Sequence, residues 1–115
     1  MERILTIDGR QVKFKSTGAF LLKYKVQFNR DAIKDIFRLA AAIDKENNTL
    51  TDIDAFDLEL FYNLVWVLAK TADPQLPPPV EWLDSFSEFP LMDIIPEISD
   101  MIFSCLTSTA PFKKK

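Results

Sequence analysis

A length of 115 residues, nearly half of them apolar and ten of them phenylalanine, suits one domain with a sizeable core. No histidine is present, which removes the commonest general base, transition-metal ligand and physiological pH switch. The single cysteine, Cys105, excludes an intramolecular disulfide and a cysteine zinc site and fits a reducing, cytoplasmic setting. Net charge is −3, but the charges are split along the chain. Arg10, Lys13, Lys15, Lys23, Lys25, Arg30, Lys34 and Arg38 face only Asp31 and Asp35 in their own stretch, whereas Thr71 to Phe112 carries acids and no lysine or arginine. Two solvated faces, pairing of the halves within one molecule, and head-to-tail association of copies are the readings of that split.

The N-terminal segment is polar and reads as a strand, not a signal peptide. Ile4 to Ile7 and Gln11 to Phe14 flank Asp8-Gly9, a strong hairpin signal because a type I′ turn needs positive φ at both central residues. This pairing places Leu5, Ile7, Val12 and Phe14 on one face, with Thr6, Gln11 and Lys13 on the other. A short helix is predicted from about Ala19 to Val26, with Phe20, Tyr24 and Phe28 inward. Asn29 is the expected N-cap of the next helix and Asp31 lies in its first turn. Ile33, Ile36, Phe37, Ala40 and Ile43 form its expected buried stripe, with Lys34 and Arg38 outside it. Ala40 to Ala42 offers a smooth surface for another helix. Asp44 to Thr49 is expected to be an exposed, mobile loop.

Asp57 to Lys70 is the longest run without a helix breaker. Leu58, Phe61, Leu64, Val65 and Leu68 share one face and Tyr62, Trp66 and Ala69 an adjacent one, so a central core helix is predicted. It is too short to span a bilayer. Asp73-Pro74-Gln75-Leu76-Pro77-Pro78-Pro79 stops it, since prolines lack the N–H and restrict the preceding residue. A short helix is then predicted over Val80 to Phe89, with Trp82, Leu83, Phe86 and Phe89 apolar, ending at Pro90. The last helix carries Leu91, Ile94, Ile95, Ile98, Met101, Ile102, Cys105 and Leu106 at helical spacing. Asp93 as its N-cap would place Pro96 in the first turn. The expected architecture is α+β, one domain over 1–115: a β-hairpin at 1–15, about five helices over 17–107 and a flexible tail at 108–115.

The chemistry-bearing residues are few. Asp52, Asp54, Asp57 and Glu59 could hold a divalent metal or act as an acid/base pair; the reading taken is an acidic helix start favoured by the dipole, and the spacing fails the EF-hand pattern. Cys105 lacks an activating histidine and is read as core. Two glycines, Gly9 and Gly18, cannot build a phosphate-cradling loop. The basic third has no accompanying base-stacking pattern, so nucleic-acid binding is not expected. No cofactor, catalytic residue or metal is expected. Trp82, Phe86, Phe89 and Leu91, concentrated beside the proline turn, are the candidate protein-contact residues, with Lys34 and Arg38 as cationic ones.

Ile4, Ile7, Gly9 and the Val12-Lys13-Phe14-Lys15 run, Phe28-Asn29-Arg30-Asp31 with Lys34-Asp35, Leu68-Ala69-Lys70 with Ala72-Asp73-Pro74, and Glu81-Trp82-Leu83-Asp84 with Phe86 together resemble the tail assembly chaperones of long-tailed phages and prophages of Gram-positive bacteria. The resemblance covers about Ile4 to Leu106. It implies a non-enzymatic, oligomeric protein of the host bacterial cytoplasm that binds the tape measure protein, keeps it soluble and helps recruit tail tube protein, absent from the finished virion. It also implies that a frameshift near the 3′ end of the gene lengthens a minority of chains, and Lys113-Lys114-Lys115 is compatible with a slippery codon run or with an ordinary basic tail. The alternatives are a structural tail or head–tail connector component retained in the virion, and a small acidic protein-binding adaptor.

Overall fold

The computed structural model describes residues 1–44 and 46–107. The expected flexible tail at 108–115 lies outside the described residues. Strands β1 (Glu2–Ile7) and β2 (Arg10–Lys15) form the antiparallel hairpin, with Leu5 opposite Val12 and Ile7 opposite Arg10. Asp8 and Gly9 both have positive φ, 53° and 75°, as the two-residue turn requires. Ile7 and Phe14 are buried, Leu5 and Val12 half-buried, and Ile4 points to the solvent side. The hairpin keeps its apolar face dry by packing β2 on the central helix.

Five helices follow, so the α+β class holds: α1 (Phe20–Phe28), α2 (Ala32–Ala42), α3 (Leu58–Ala72), α4 (Pro79–Asp84) and α5 (Leu91–Ser104). α3 is the centre, touching β2, α1, α2 and α4. Leu60, Phe61 and the whole run Leu64 to Ala69 are buried, a circumference that only a surrounded helix can carry. Asp57 caps it by accepting from the Leu60 N–H, while Leu58, expected inside, sits half-exposed in the first turn.

Four expectations are corrected. Asn29 is not the N-cap of α2; it is the left-handed C-cap of α1, and Asp31 caps α2 by accepting from the Ile33 and Lys34 N–H groups. The buried stripe of α2 is Ala32, Asp35, Ile36, Leu39 and Ala42, continued by Ile43, and not the one through Ile33 and Phe37. Asp35 turns inward to bond Tyr24 and Arg30. At about 100° per residue, positions 33 and 37 then lie almost opposite it; Phe37 is 64% exposed. The polar segment after α2 is not a featureless loop: β3 (Ile43–Asp44) pairs with β4 (Thr49–Leu50), and the Asp44 carboxylate accepts from the Glu46 N–H and the Asn47 amide. In α5, Pro96 lies inside the helix and not in its first turn, because the Pro90 carbonyl accepts the Asp93 and Ile94 N–H groups and so starts the helix earlier. The Met92 carbonyl that Pro96 cannot serve belongs to an exposed residue.

α4 also ends sooner than expected. Ser85 Oγ donates to the Trp82 carbonyl, Arg10 donates to that same Oγ, and the Ser87 N–H donates to Asp8. The chain leaving α4 is thereby tied to the tip of the hairpin.

Candidate functional site

The expected contact residues separate into two places. Trp82 and Phe86 are not an exposed surface: they are 4% and 8% exposed and belong to the core. With Phe89 they form a triangle of edge-packed rings, centroids 5.4 to 5.8 Å apart, which Tyr62 of α3 extends through Phe89. The Arg10 guanidinium closes the corner at 3.8 Å over the Phe86 ring. Only Phe89 and Leu91 of this group reach half-exposure. Trp82 turns inward because the proline segment is strapped to α3. Trp66 Nε1 donates to the Pro77 carbonyl at 2.9 Å and Lys70 Nζ to the Leu76 carbonyl at 2.8 Å. Lys34 and Arg38 are exposed on α2, and the structure does not bring them to the aromatic corner. Arg38 instead lines a hollow with Asp54, Asp57 and Glu59 at the start of α3.

The carboxylates at that start act locally. Asp57 caps α3 and Asp52 accepts from the Ala55 N–H. Among the described residues no group of histidine, cysteine, aspartate and glutamate is arranged to hold a metal ion. Cys105 is half-buried and its thiol donates to the Met101 carbonyl; burial pushes that thiol up from its ordinary range, away from the reactive thiolate.

Among the described residues, one buried ionised cluster joins α1 to α2. Asp35, 3% exposed, accepts from Tyr24 Oη at 2.7 Å and from Arg30 Nε and Nη2 at 2.7 and 3.0 Å. Burial pushes its carboxyl up, but the bonds from Arg30 and Tyr24 and the Arg30 charge together outweigh that and hold it below the usual carboxylate range. Burial, and then the Asp35 carboxylate, push the Tyr24 phenol above its ordinary range. The cluster fixes how α1 lies on α2, and only its Arg30 reaches an open hollow, beside Glu59 and Glu81.

Among the open hollows of the described residues, the most apolar in its lining lies between α1 and α3. It is a groove of about 460 Å³ lined by Ala19, Leu22 and Val26 of α1 and by Trp66, Val67 and Pro74 on the other side. Leu22 and Val26 are 65% and 76% exposed, and both groove walls are apolar. Lys23 and Lys70 stand at its edges, with Gln27 and Thr71. Sequence reasoning assigned Leu22 and Val26 no role. The signal was present: α1 carries Ala19, Leu22 and Val26 on one face and Phe20 and Tyr24 on another, two apolar faces on one short helix, of which a core takes only one.

Comparison of the chain with protein-family models, with curated proteins and with solved structures gives no significant match. Fold and groove therefore define the molecule from its own geometry: a small α+β domain with an open apolar groove across its central helix. No helix among the described residues is long and apolar enough to cross a membrane.

Proposed function

We propose that the chain is a tail assembly chaperone of long-tailed phages, acting by binding in the host bacterial cytoplasm. Its client is the tape measure protein, which it keeps soluble until tail tube protein polymerises around it. The observation that supports this reading best is the α1–α3 groove. A chaperone of an extended helical client needs apolar surface that its own fold leaves open, and Leu22 and Val26 supply it beside Trp66 and Val67. The sequence resemblance points the same way, and Phe89 and Leu91 remain the accessible part of the contact first placed at Trp82.

Copies of the chain join head to tail in this reading, so that weak single grooves act together. Among the described residues, none of the cations from Arg10 to Arg38 forms an ion pair with an acid beyond Thr71; the bridges run Arg3 to Glu97 and Asp100, Lys13 to Glu2, and Arg30 to Asp35. The exposed charges outside these bridges, Lys34 on α2 and Glu81 and Glu88 beyond α3 among them, are available to a neighbour, and oligomers so held dissociate as salt rises.

The test is co-expression with a tape measure protein, followed by pull-down and a solubility assay. A soluble complex that requires this chain, and that is lost in the folded double variant Leu22→Ser/Val26→Ser, is the expected result. A client that stays insoluble, with this chain found in purified particles, would establish the structural-component reading instead.

A further inference from the structure

We propose that the α1–α3 groove is selective for an amphipathic helix whose apolar stripe is flanked by acidic residues; this rests on the groove being the client site. The shape argues for a helix. The α1 wall is the N-cap Ala19 with Leu22, Lys23, Val26 and Gln27, a little over two turns, and the α3 wall is Trp66, Val67, Lys70 and Thr71, about one and a half turns. A helix lying between two such walls presents anchors at i, i+3, i+4 and i+7, the pattern of helix-in-groove recognition.

The charge argues for acidic flanks. The groove carries one cation on each wall, Lys23 and Lys70, and no acid among its lining residues. Neither lysine forms an ion pair among the described residues. Both ammonium groups are positioned by neutral partners: Lys23 Nζ donates to Thr71 Oγ1 across the groove at 3.3 Å, and Lys70 Nζ donates to the Leu76 carbonyl and sits 5.9 Å over the Trp66 ring. An ammonium has three protons, so each keeps donors for a carboxylate arriving with the client. Both ammonium groups therefore stand at the α3 wall, and the complementary ligand carries acids beside the part of its apolar stripe that meets that wall.

The experiment uses three labelled helical peptides of about 15 residues, long enough to hold a helix. They share one leucine stripe and differ only in flanking residues: glutamate, glutamine or lysine. Binding is read by fluorescence anisotropy at low and high salt. The glutamate peptide is expected to bind about five- to tenfold tighter than the lysine peptide at low salt, as two partly exposed charge pairs allow, with the difference shrinking at high salt. The double variant Lys23→Glu/Lys70→Glu should reverse the order, and Leu22→Ser/Val26→Ser should weaken all three peptides alike. Equal affinities for the three peptides, or an unchanged order in the charge-reversed variant, would overturn the selectivity while leaving the groove as client site. Loss of binding to every peptide, with Leu22→Ser/Val26→Ser altering only the oligomer size, would overturn both and make the groove a seam between copies.

Discussion

Replacing Asp35 by alanine tests the buried cluster at its centre. The substitution removes the acceptor of three hydrogen bonds. The losses differ in kind. Tyr24 is wholly buried, so its hydroxyl is left without a partner, which costs about 1–3 kcal/mol. The Arg30 side chain is 41% exposed and rehydrates, so its pair with Asp35 adds only about 0.2–1 kcal/mol. The expected total is about 1–4 kcal/mol, a large fraction of the roughly 5–15 kcal/mol that holds a domain together. Urea denaturation followed by circular dichroism reads it as a midpoint lowered by about 0.6–2 M at a slope near 2 kcal/mol/M. Tyr24→Phe alone should cost about 1 kcal/mol. In that background no hydroxyl is orphaned, and Asp35→Ala should cost at least about 1 kcal/mol less than in the native chain. A loss below about 1 kcal/mol, or the same loss in both backgrounds, would refute the assignment of an orphaned hydroxyl as the main term.

The same cluster sets a pH window. Asp35 is held below the ordinary carboxylate range when folded. Its contribution is therefore present above the unfolded value, about 3.9, and is lost as pH falls below it, where the unfolded chain takes up the proton first. Tyr24 is pushed the other way when folded. Its contribution is complete below the unfolded value, about 10, and is lost as pH rises above it. The stability difference between the native chain and the Asp35→Ala/Tyr24→Phe variant should be flat between those limits and shrink beyond either one.

Trp82→Ala should lower the melting temperature by the cost of a core cavity, about 3–5 kcal/mol, because the indole is buried against Phe86 and Phe89; a change felt only in client binding would return Trp82 to the surface. Gly9→Ala should destabilise by about 1–2 kcal/mol and Gly18→Ala by nothing, since a Cβ meets no atom within 4 Å at either position and only Gly9 has positive φ. Equal effects in thermal denaturation would show that turn conformation is not what separates them. Ser99→Ala should be neutral or stabilising by about 1 kcal/mol, because the Ser99 hydroxyl is buried with no partner among the described residues; a clear loss of stability would reveal one.

The parts legible in the sequence were those decided by neighbours in the chain. Asp8-Gly9 between alternating strands carries its own turn, and the run to Lys70 is ended by a segment whose prolines cannot continue the same helix. The two errors that moved the site share a cause, side-chain bonds that join one element to another, whereas the ends of α1, α2 and α5 turned on choices among adjacent residues. Periodicity counted Asp35 as surface, although a phenol from α1 and a guanidinium from the connection make its burial possible. Trp82 read as exposed because prolines surround it. That segment is in fact lashed down by Trp66 and Lys70, eleven and six residues upstream of their carbonyl partners.

Asp35 also bears on what α2 leaves outside. With Asp35 inward, Ile33 and Phe37 point outward, and a shallow hollow lined by Leu21, Leu22, Lys25, Asp31 and Ile33 joins that side of α2 to α1. Turning α2 to bury Ile33 and Phe37 would return Asp35 to water but would also expose Ala32, Leu39 and Ala42, which lie on the Asp35 side. A fully bonded buried charge specifies one rotation of the helix over another even where its net energy is small. Here the specified rotation is the one that leaves Ile33 and Phe37 exposed. A local rule broken in this way, an apolar pair outside and a carboxylate inside, is expected at a functional surface more than in a plain core.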